Sequence, residues 1–403
     1  MMKYLIINSG SSSIKYQVIE IPTETVLATG LVERIGEGSG RLKNIAFPGS
    51  DRELTTVIEQ PIADHSQGMM LVIAVLTDQE KGVIADTAEI SAVGHRVVHG
   101  GEDFRRSTLI TPEVISVLEQ NIPLAPLHNP ANLDGIRVAR EMFPAVPQVA
   151  VFDTAFHQTM PRRAYLYAVP YRLYEQYRVR RYGFHGTSHR FVAGECARLL
   201  EKPLDACNLI TVHLGNGCSM TAIENGRSID TSLGMTPLEG LVMGTRSGDV
   251  DPALHLFLKQ NIGLELEEID TLLNKESGLK GLCGMNDMRD IHSAAAAGDE
   301  RAALALEVQT YRNRKYIGAY MAVLGRVDAI VFTAGIGEND PVTRAESLKG
   351  LDVFGVRLDP EKNNEHAGQA RCISRAESTV RIFVIPTNEE LAIAREIADL
   401  TSE

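Results

Sequence analysis

Short apolar-rich stretches separated by turn residues open the chain, which is the pattern of β-strands. They predict three strands, at residues 4–8, 14–21 and 25–32, and the second of these alternates apolar and polar positions. A tight serine-rich turn, Ser9-Gly10-Ser11-Ser12-Ser13, joins the first two strands. The chain is therefore expected to open with a β-meander.

The rest of the first half mixes helical and strand patterns. Met69, Val72 and Leu76 are spaced as on one face of a helix, and a second helix is predicted to begin with Thr111 as its cap and Pro112 in its first turn. Buried strands are predicted for the apolar runs 91–98 and 148–153.

The second half repeats the opening pattern. An apolar strand at 208–214 ends in Gly215-Asn216-Gly217 and is followed by strands at 219–224 and 227–232, which form a hairpin around Asn225-Gly226. Because both halves begin with a strand, a glycine-containing turn and a return strand, the sequence predicts a duplicated α/β architecture.

The last part of the chain is predicted to combine helices with two further strands. Thr387 and Glu390 have the spacing of a capping box, which predicts the start of a C-terminal helix. Helical periodicity covers 264–273 and 302–324, and strands are predicted at 329–333, running into the glycine-containing turn 334–339, and at 380–385.

The composition narrows the class of protein. A chain of 403 residues exceeds what one hydrophobic core usually supports, so two domains are expected. The net charge of −12 argues against a nucleic acid or an anionic membrane as partner. The longest apolar run, residues 69–76, is too short to span a bilayer, and the N-terminal apolar run is too short for a signal peptide. Five scattered cysteines without a C-x-x-C pair favour the cytoplasm over a disulfide framework or a zinc site.

Five short segments concentrate residues with binding or catalytic chemistry. They combine glycines, hydroxyls, histidines and arginines, most densely between Arg181 and His189. The segments are 8–15, 95–102, 181–189, 213–217 and 244–249. Together they predict an active site that handles anions.

Three strand-linked glycine turns, at 9–13, 215–217 and 334–339, could direct backbone N–H groups at phosphate. Each turn alone is better explained as an ordinary hairpin turn, but three together favour phosphate binding. The chain has neither a Walker-type loop nor a Rossmann fingerprint.

Two arginines and two carboxylates stand out. Arg96 and Arg246 lie in apolar or glycine-rich segments, where an unpaired guanidinium is costly, so each is expected to meet a ligand anion or, alternatively, a protein carboxylate. Asp153 ends a predicted strand, where it could touch a metal-bound water. Glu389 lies in a first helical turn, where the helix dipole alone explains it equally well.

The histidines and the first turn leave alternatives open. Taken alone, each of His128, His185 and His213 is explained as a buried histidine whose ring nitrogens are hydrogen-bonded. His185 is the one most favoured for a role in chemistry. Of the residues beside the first turn, Asn8 is favoured for chemistry, whereas Lys15 is explained by a solvated strand position.

These motifs resemble the acetokinase family, within the larger superfamily of actin, sugar kinases and Hsp70. The matching segments extend over essentially the whole chain. They are Asn8-x-Gly10-Ser11-Ser12-Ser13, 95–102, 152–157, 181–189, 236–251, 332–339 and 386–390.

The resemblance implies an α/β fold of two duplicated ribonuclease H-like domains around a central cleft, the fold of the actin-like ATPases (ASKHA). The implied domains are residues 1–153 with 388–403, and residues 154–387, which would bind the nucleotide; a homodimer is also implied. The implied reaction is reversible, direct in-line transfer of the γ-phosphoryl group of ATP to acetate, giving acetyl phosphate and ADP, with Mg²⁺ or alternatively Mn²⁺. A carboxylate nucleophile is already ionised at neutral pH, so this reaction needs cations and aligned donors rather than a general base.

The resemblance also implies residue roles. Catalysis would fall to Arg96, Asp153, His185 and Arg246, with His128, His185 and Arg246 supporting the transition state. Acetate would contact Arg96, Val98, Leu127, Phe184 and Pro237, and the metal would involve Asn8, Asp153 and Glu389. The nucleotide would contact Asn8, Ser13, Lys15, His213, Leu214, Gly215, Asn216, Gly217, Asp287, Met288, Arg289, Gly335, Ile336, Gly337 and Asn339.

Two alternatives stay open from the sequence. A propionate or butyrate kinase would share the motifs, but Val98 favours acetate because a smaller residue there would leave space for another methylene. A nucleotide-dependent binding protein on the same scaffold would keep the phosphate turns but would need neither Arg96 nor Arg246.

Overall fold

The structure, a computed structural model, describes residues 1–126, 128–365 and 368–401. It divides into two compact units, Met1–Ala155 with Asn388–Glu403, and Phe156–Thr387. Each unit has its own sheet and its own hydrophobic clusters. Among the described residues, no helix combines the length and the apolar character needed to cross a membrane.

The first unit is built on a mixed sheet whose strand order is β5-β4-β3-β2-β1-β6-β8-β7. Its strands are β1 (Met2–Ser9), β2 (Ser13–Ile21), β3 (Thr25–Glu33), β4 (Gly40–Ala46), β5 (Leu54–Gln60), β6 (Ile90–Val97), β7 (Thr108–Leu109) and β8 (Gln148–Phe152). Neighbouring strands from β1 to β5 are antiparallel, whereas β6 runs parallel to β1 and β8 parallel to β6.

Helices cover both faces of this sheet. They are α1 (His65–Leu76), α2 (Pro112–Gln120), α3 (Asn129–Met142) and the C-terminal helix, Glu389–Thr401. Leu5 and Ile7 of β1 pack in the cluster that includes α1 and α3, whereas Tyr4 and Ile6 pack against the C-terminal helix. Because successive strand residues face opposite sides, both helical layers require apolar residues, which explains the continuous apolar run of β1.

The second unit has a mixed sheet in the order β11-β10-β9-β12-β14-β13. Its strands are β9 (Leu209–Leu214), β10 (Cys218–Glu224), β11 (Arg227–Thr231), β12 (Ala329–Thr333), β13 (Arg371–Cys372) and β14 (Arg381–Val384). Here β9, β10 and β11 are antiparallel neighbours, and β12 and β14 continue the sheet in parallel with β9.

The helices of the second unit are α4 (Arg162–Tyr165), α5 (Arg172–Tyr177), α6 (Gly186–Leu199), α7 (Ala253–Phe257), α8 (Leu266–Thr271), α9 (Gly278–Cys283), α10 (Met288–Ala296), α11 (Glu300–Leu324), α12 (Ala334–Asn339), α13 (Pro341–Leu348) and α14 (Pro360–Asn364). Wider π-helical turns extend α7 and α8, at Leu258–Ile262 and Leu272–Glu276. Val192 and Cys196 of α6 pack on the apolar side chains of β9 and β12.

The two sheets share one topology. The segments β3-β2-β1-β6-β8 and β11-β10-β9-β12-β14 have the same order in sequence and the same pattern of antiparallel and parallel neighbours. This is the ribonuclease H-like arrangement, so the prediction of a duplicated α/β fold is confirmed.

Three local predictions differ from the structure. The sequence patterns did not predict β4 and β5, which extend the first sheet beyond the meander. The segment 334–339 is the short helix α12 rather than an open turn. The C-terminal helix is capped by Asn388, whose side chain accepts from the Leu391 N–H at 2.9 Å, and not by Thr387. Both residue types are good caps, so the pattern alone could not place the start to one residue.

Candidate active site

The turn after β1 is closed by its own backbone. The Gly10 N–H donates to the Ser13 carbonyl at 2.8 Å, and His65 Nε2 donates to the Gly10 carbonyl at 2.7 Å. Asn8 and Lys15 face each other across β1 and β2. Lys15 Nζ lies 2.5 Å from a carboxylate oxygen of Glu390, so this lysine is ion-paired with the first turn of the C-terminal helix and is not merely solvated.

Arg96 of β6 binds two carboxylates in the first unit. Its Nε and Nη2 donate to both oxygens of Asp153, at 2.7–3.1 Å, and Nε lies 3.6 Å from Glu389. Asp153 follows β8 and is only 2% exposed. Burial alone would lower the pKa of Arg96, but the charges of Asp153 and Glu389 outweigh it and raise that pKa. Of the two alternatives for Arg96, the internal salt bridge is therefore present.

Asn132 of α3 ties the ends of β1 and β6 together. Its Oδ1 accepts from the Val98 N–H at 3.0 Å, and its Nδ2 donates to the Ser9 carbonyl at 2.8 Å. α3 can approach this closely because position 135 is glycine: a Cβ there would lie 2.6 Å from Ser9 Cβ. Asn132 is 4% exposed. It was not identified from the sequence as a candidate residue, because its only local signal is its place near His128. His128 itself is exposed at the start of α3, and Leu127 lies outside the described residues.

The second unit gathers histidines around the start of α6. His185 occupies the N-cap position of this helix with φ 57°, in the left-handed region. That conformation costs a non-glycine residue about 1–2 kcal/mol, and such strain concentrates at functional sites. The His185 ring stacks on His213, with 4.2 Å between ring centroids, and its Nδ1 lies 2.9 Å from Ser219 Oγ.

Two further histidines lie behind this pair and are fully buried. His189 contacts Thr211 Oγ1 through Nδ1 and Ser219 Oγ through Nε2, both at 2.7 Å. His157 Nε2 donates to the Phe184 carbonyl at 3.0 Å. Burial lowers the pKa of His189 well below its usual value and lowers that of His157 to about 4, so both rings are neutral at pH 7. Their roles were missed from the sequence, although His189 follows His185 by one helical turn.

Arg246 differs from Arg96 because it has no carboxylate partner among the described residues. Its Nη1 donates to the Pro237 carbonyl at 3.1 Å and approaches Met243 Sδ at 3.8 Å. Burial lowers the pKa of Arg246, and the nearby Cys218 only partly offsets this effect. Because a carbonyl and a thioether do not neutralise it, this partly buried cation can pair with a ligand anion.

His185 and Arg246 both approach the turn between β9 and β10. A Cβ added to Gly217 would lie 3.5 Å from His185 Nε2 and 3.6 Å from Arg246 Nη1. The glycine therefore leaves space beside two side-chain nitrogens that both face the same turn. His213, Leu214, Gly215 and Asn216 form the same strand end and turn, so the structure brings this part of the predicted nucleotide set together.

The remaining predicted nucleotide residues lie at the starts of α10 and α12. Asp287 caps α10 by accepting from the Arg289 N–H, and its side chain also pairs with the Arg289 guanidinium. Met288 is buried in the cluster against which Ile336 packs, which joins the two helix starts. Gly335, Gly337 and Asn339 belong to α12, which follows β12 directly.

Two carboxylates of the first unit, Asp153 and Glu389, are the candidate metal ligands. Among the residues that the structure describes, no group of three His, Cys, Asp or Glu side chains is placed to hold a metal. Mg²⁺ that binds with a nucleotide needs only one or two protein carboxylates, because phosphate oxygens and waters complete its shell. Asp153 and Glu389, brought together on Arg96, fit that requirement.

The fold and these clusters define a class: a duplicated ribonuclease H-like α/β protein in which a histidine and a partly buried arginine face one glycine turn. Comparison with known proteins then gives the family. The chain belongs to the Acetokinase family, whose model matches residues 3–395.

Similar proteins span the chain nearly end to end. An acetate kinase of Desulfotalea psychrophila is 62% identical over 98% of both chains, and one of Oleidesulfovibrio alaskensis is 58% identical over 98% of both. Among solved structures, an acetate kinase of Porphyromonas gingivalis superposes with a TM-score of 0.95 at 46% identity, covering 100% of both chains. A propionate kinase of Francisella tularensis gives 0.91 at 42% identity, covering 98% of this chain and 99% of that one.

Proposed function

We propose that this chain is an acetate kinase, which transfers the γ-phosphoryl group of ATP reversibly to acetate and yields acetyl phosphate and ADP. The observation that carries the proposal is the Arg246 guanidinium, which is partly buried and has no carboxylate partner among the described residues. His185 Nε2 faces the same glycine turn. Family membership and the relatives' names support the choice of substrate.

The chemistry requires little from the protein except positioning and positive charge. An acetate oxygen attacks the γ-phosphorus in line as the bond to the β–γ bridging oxygen breaks, and ADP leaves as the oxyanion. Arg246 and His185 are assigned to the oxygens of the transferred phosphoryl group, and His128 to their support. Arg96 is assigned to the acetate carboxylate, because its Nη1 has no protein partner among the described residues while Asp153 holds Nε and Nη2.

A divalent metal belongs to this family's chemistry, and we assign it to Asp153, Glu389 and Asn8. Mg²⁺ is preferred, with Mn²⁺ as the alternative, because carboxylate and amide oxygens are hard ligands. When bound, the ion neutralises charge on the nucleotide phosphates. Arg96 orients both carboxylates and offsets their mutual repulsion.

The remaining roles are proposed position by position. Val98, Leu127, Phe184 and Pro237 are assigned to the acetate methyl group. The nucleotide is assigned to Asn8, Ser13, Lys15, His213, Leu214, Gly215, Asn216, Gly217, Asp287, Met288, Arg289, Gly335, Ile336, Gly337 and Asn339. The buried position of Met288 supports a role in shaping this site from the core rather than by direct side-chain contact.

Assembly and organisation are also proposed from the family. We assign residues 1–153 with 388–403 and residues 154–387 as the two acetokinase domains, a homodimer as the assembly, and the cytoplasm as the location. Light scattering on the purified chain tests the dimer, because a monomeric mass at micromolar concentration would contradict it.

The activity is tested by trapping acyl phosphate with hydroxylamine in the presence of ATP and Mg²⁺. Acetate, propionate and butyrate are compared by kcat/KM. A lead for acetate supports the proposal, whereas a lead for propionate keeps the chemistry and overturns the substrate. ATP binding without acyl phosphate from any acid would instead favour a nucleotide-dependent binding protein.

A further inference from the structure

Four side chains in the second unit form one continuous hydrogen-bond chain that ends on His185. Thr211 Oγ1 contacts His189 Nδ1 at 2.7 Å, and His189 Nε2 contacts Ser219 Oγ at 2.7 Å. Ser219 Oγ then contacts His185 Nδ1 at 2.9 Å. Thr211, His189 and Ser219 are fully buried, so water does not compete for these bonds.

The direction of this chain follows from counting hydrogens. Among the described residues, the Thr211 hydroxyl has no partner except His189 Nδ1, so a satisfied hydroxyl must donate its hydrogen to that nitrogen. His189 is neutral, because burial holds its pKa well below its usual value, and it therefore carries its single hydrogen on Nε2. That hydrogen is donated to Ser219.

The same count continues to the end of the chain. Ser219 accepts from His189 and so donates its own hydrogen to His185 Nδ1. A neutral His185 then has its hydrogen on Nε2, the nitrogen that faces the Gly217 turn beside Arg246. In the opposite direction, the Thr211 hydrogen would be left buried without an acceptor, which is unfavourable.

We infer that Thr211, His189 and Ser219 act as positioning residues, which fix His185 in the neutral form that carries its hydrogen on Nε2. This inference rests on the proposed function for its consequence: Nε2 is then a permanent donor toward the transferred phosphoryl oxygens. With the other tautomer, an Nε2 lone pair would face an anion. This hydrogen-bond chain, called the relay below, therefore determines which of the two neutral tautomers of His185 faces the transferred phosphoryl group.

The tautomer is measured directly on the wild-type protein without ligand. Long-range ¹H–¹⁵N correlation of protein labelled with ¹⁵N-histidine distinguishes protonated from unprotonated ring nitrogens. We expect a protonated Nε2 and an unprotonated Nδ1 on His185. A protonated Nδ1 in the wild type overturns the inference, whatever the enzyme's activity.

Three variants connect the relay to turnover. Thr211→Val preserves the shape of the side chain but removes the hydroxyl donor that begins the relay. Two hydrogen bonds separate this position from the Ser219 contact with His185. We expect kcat to fall about tenfold, because roughly one hydrogen bond's free energy favours the Nε2-protonated tautomer. The KM for ATP should be unchanged, and protonation of His185 Nδ1 should become detectable. Thr211→Ser restores the donor and is expected to recover kcat and the tautomer.

Thr221→Val is the matched control, because Thr221 is equally buried on the neighbouring strand and its hydroxyl contacts only Thr231 among the described residues. We expect its kcat and tautomer to match the wild type. Wild-type kcat in Thr211→Val, or a lowered kcat with an unchanged tautomer, overturns the relay but leaves the proposed function intact. A wild-type protein that forms no acyl phosphate overturns the proposed function, while the tautomer measurement still tests the relay.

Discussion

Replacing Arg246 by alanine separates catalysis from stability, because this side chain is expected to contribute to the first and to oppose the second. The guanidinium donates to one carbonyl and has no carboxylate partner among the described residues. Burial already lowers its pKa, which means that the folded protein disfavours the charge. A group placed at such a cost is typical of a site that waits for an anion.

The expected loss of activity follows from the chemistry assigned to the site. An arginine that stabilises the charge of a transferring phosphoryl group is worth about 10³–10⁵ in kcat. We therefore expect Arg246→Ala to lower kcat by about a thousandfold or more, with ATP binding nearly unchanged. Arg246→Lys should recover only part of this loss, because an ammonium is a point charge without the planar donor fork.

The stability of Arg246→Ala should change in the opposite direction. Removing an uncompensated, partly buried charge is expected to leave the midpoint of thermal unfolding unchanged or higher. Arg198→Ala is the control, because Arg198 is exposed and pairs only with Glu195 among the described residues. Hydroxamate assays and calorimetry together decide the matter. Wild-type turnover in Arg246→Ala, or a fall of more than about 5 °C in its unfolding midpoint, would refute the reasoning.

The remaining predictions concern three other contacts. Asp153→Asn breaks the buried pair with Arg96 and is expected to destabilise the protein by about 3 kcal/mol, measured by urea unfolding; an unchanged midpoint would contradict it. Val98→Ala should raise the kcat/KM of propionate relative to acetate about tenfold, which is the discrimination available from one methylene. An unaltered ratio would contradict the assignment of Val98 to the acetate methyl group. His292 donates to Asp340 at 2.7 Å, which raises the pKa of His292. The stabilising contribution of protonated His292 is complete below pH 6.5 and is lost as the pH rises through its raised pKa. The midpoint temperature of unfolding should therefore decrease as the pH is raised from 6 to 8.5 in the wild type, and decrease less in His292→Gln.

Asp340 does not complicate that pH test. Burial alone would raise the pKa of Asp340, but its hydrogen bonds to His292 and Thr343 lower it below the usual value. A depressed carboxyl pKa stabilises the fold above the unfolded value and loses that effect only in acid. The contribution of Asp340 is therefore constant from pH 6 to 8.5, and the change in that window belongs to His292.

The sequence predicted the parts of the fold that depend on periodicity. β1, β9 and β12 are mostly apolar and β2 alternates apolar and polar residues, so the spacing of apolar residues alone was enough to locate them. β5 has no buried residue, because it is the exposed edge of the first sheet. Its position depends on hydrogen bonds to β4 rather than on burial, and hydrophobic pattern cannot reveal it.

Within the candidate site, the sequence pointed to His185 and Arg246 but not to the side chains that hold His185. His185 and Arg246 stand out because histidine and arginine are unusual beside glycine, and the structure places both at the Gly217 turn. Ser219 and Thr211 are ordinary residues of buried strands, and their hydroxyls acquire a role only when α6 packs against the sheet and brings His189 between them. Such roles depend on tertiary packing, so no local pattern contains them.

The two arginines show how one residue type can take opposite roles. Arg96 is held by Asp153 and Glu389, so its charge is compensated and its orientation is fixed before any ligand binds. Arg246 is held by a carbonyl and a thioether, so its charge stays available. If both arginines had protein counterions, an incoming anion would have to displace one. If neither arginine had a protein counterion, two uncompensated buried charges would destabilise the folded protein. The first unit therefore has a fixed cation beside two carboxylates, and the second unit has a cation whose counterion is expected to be a ligand.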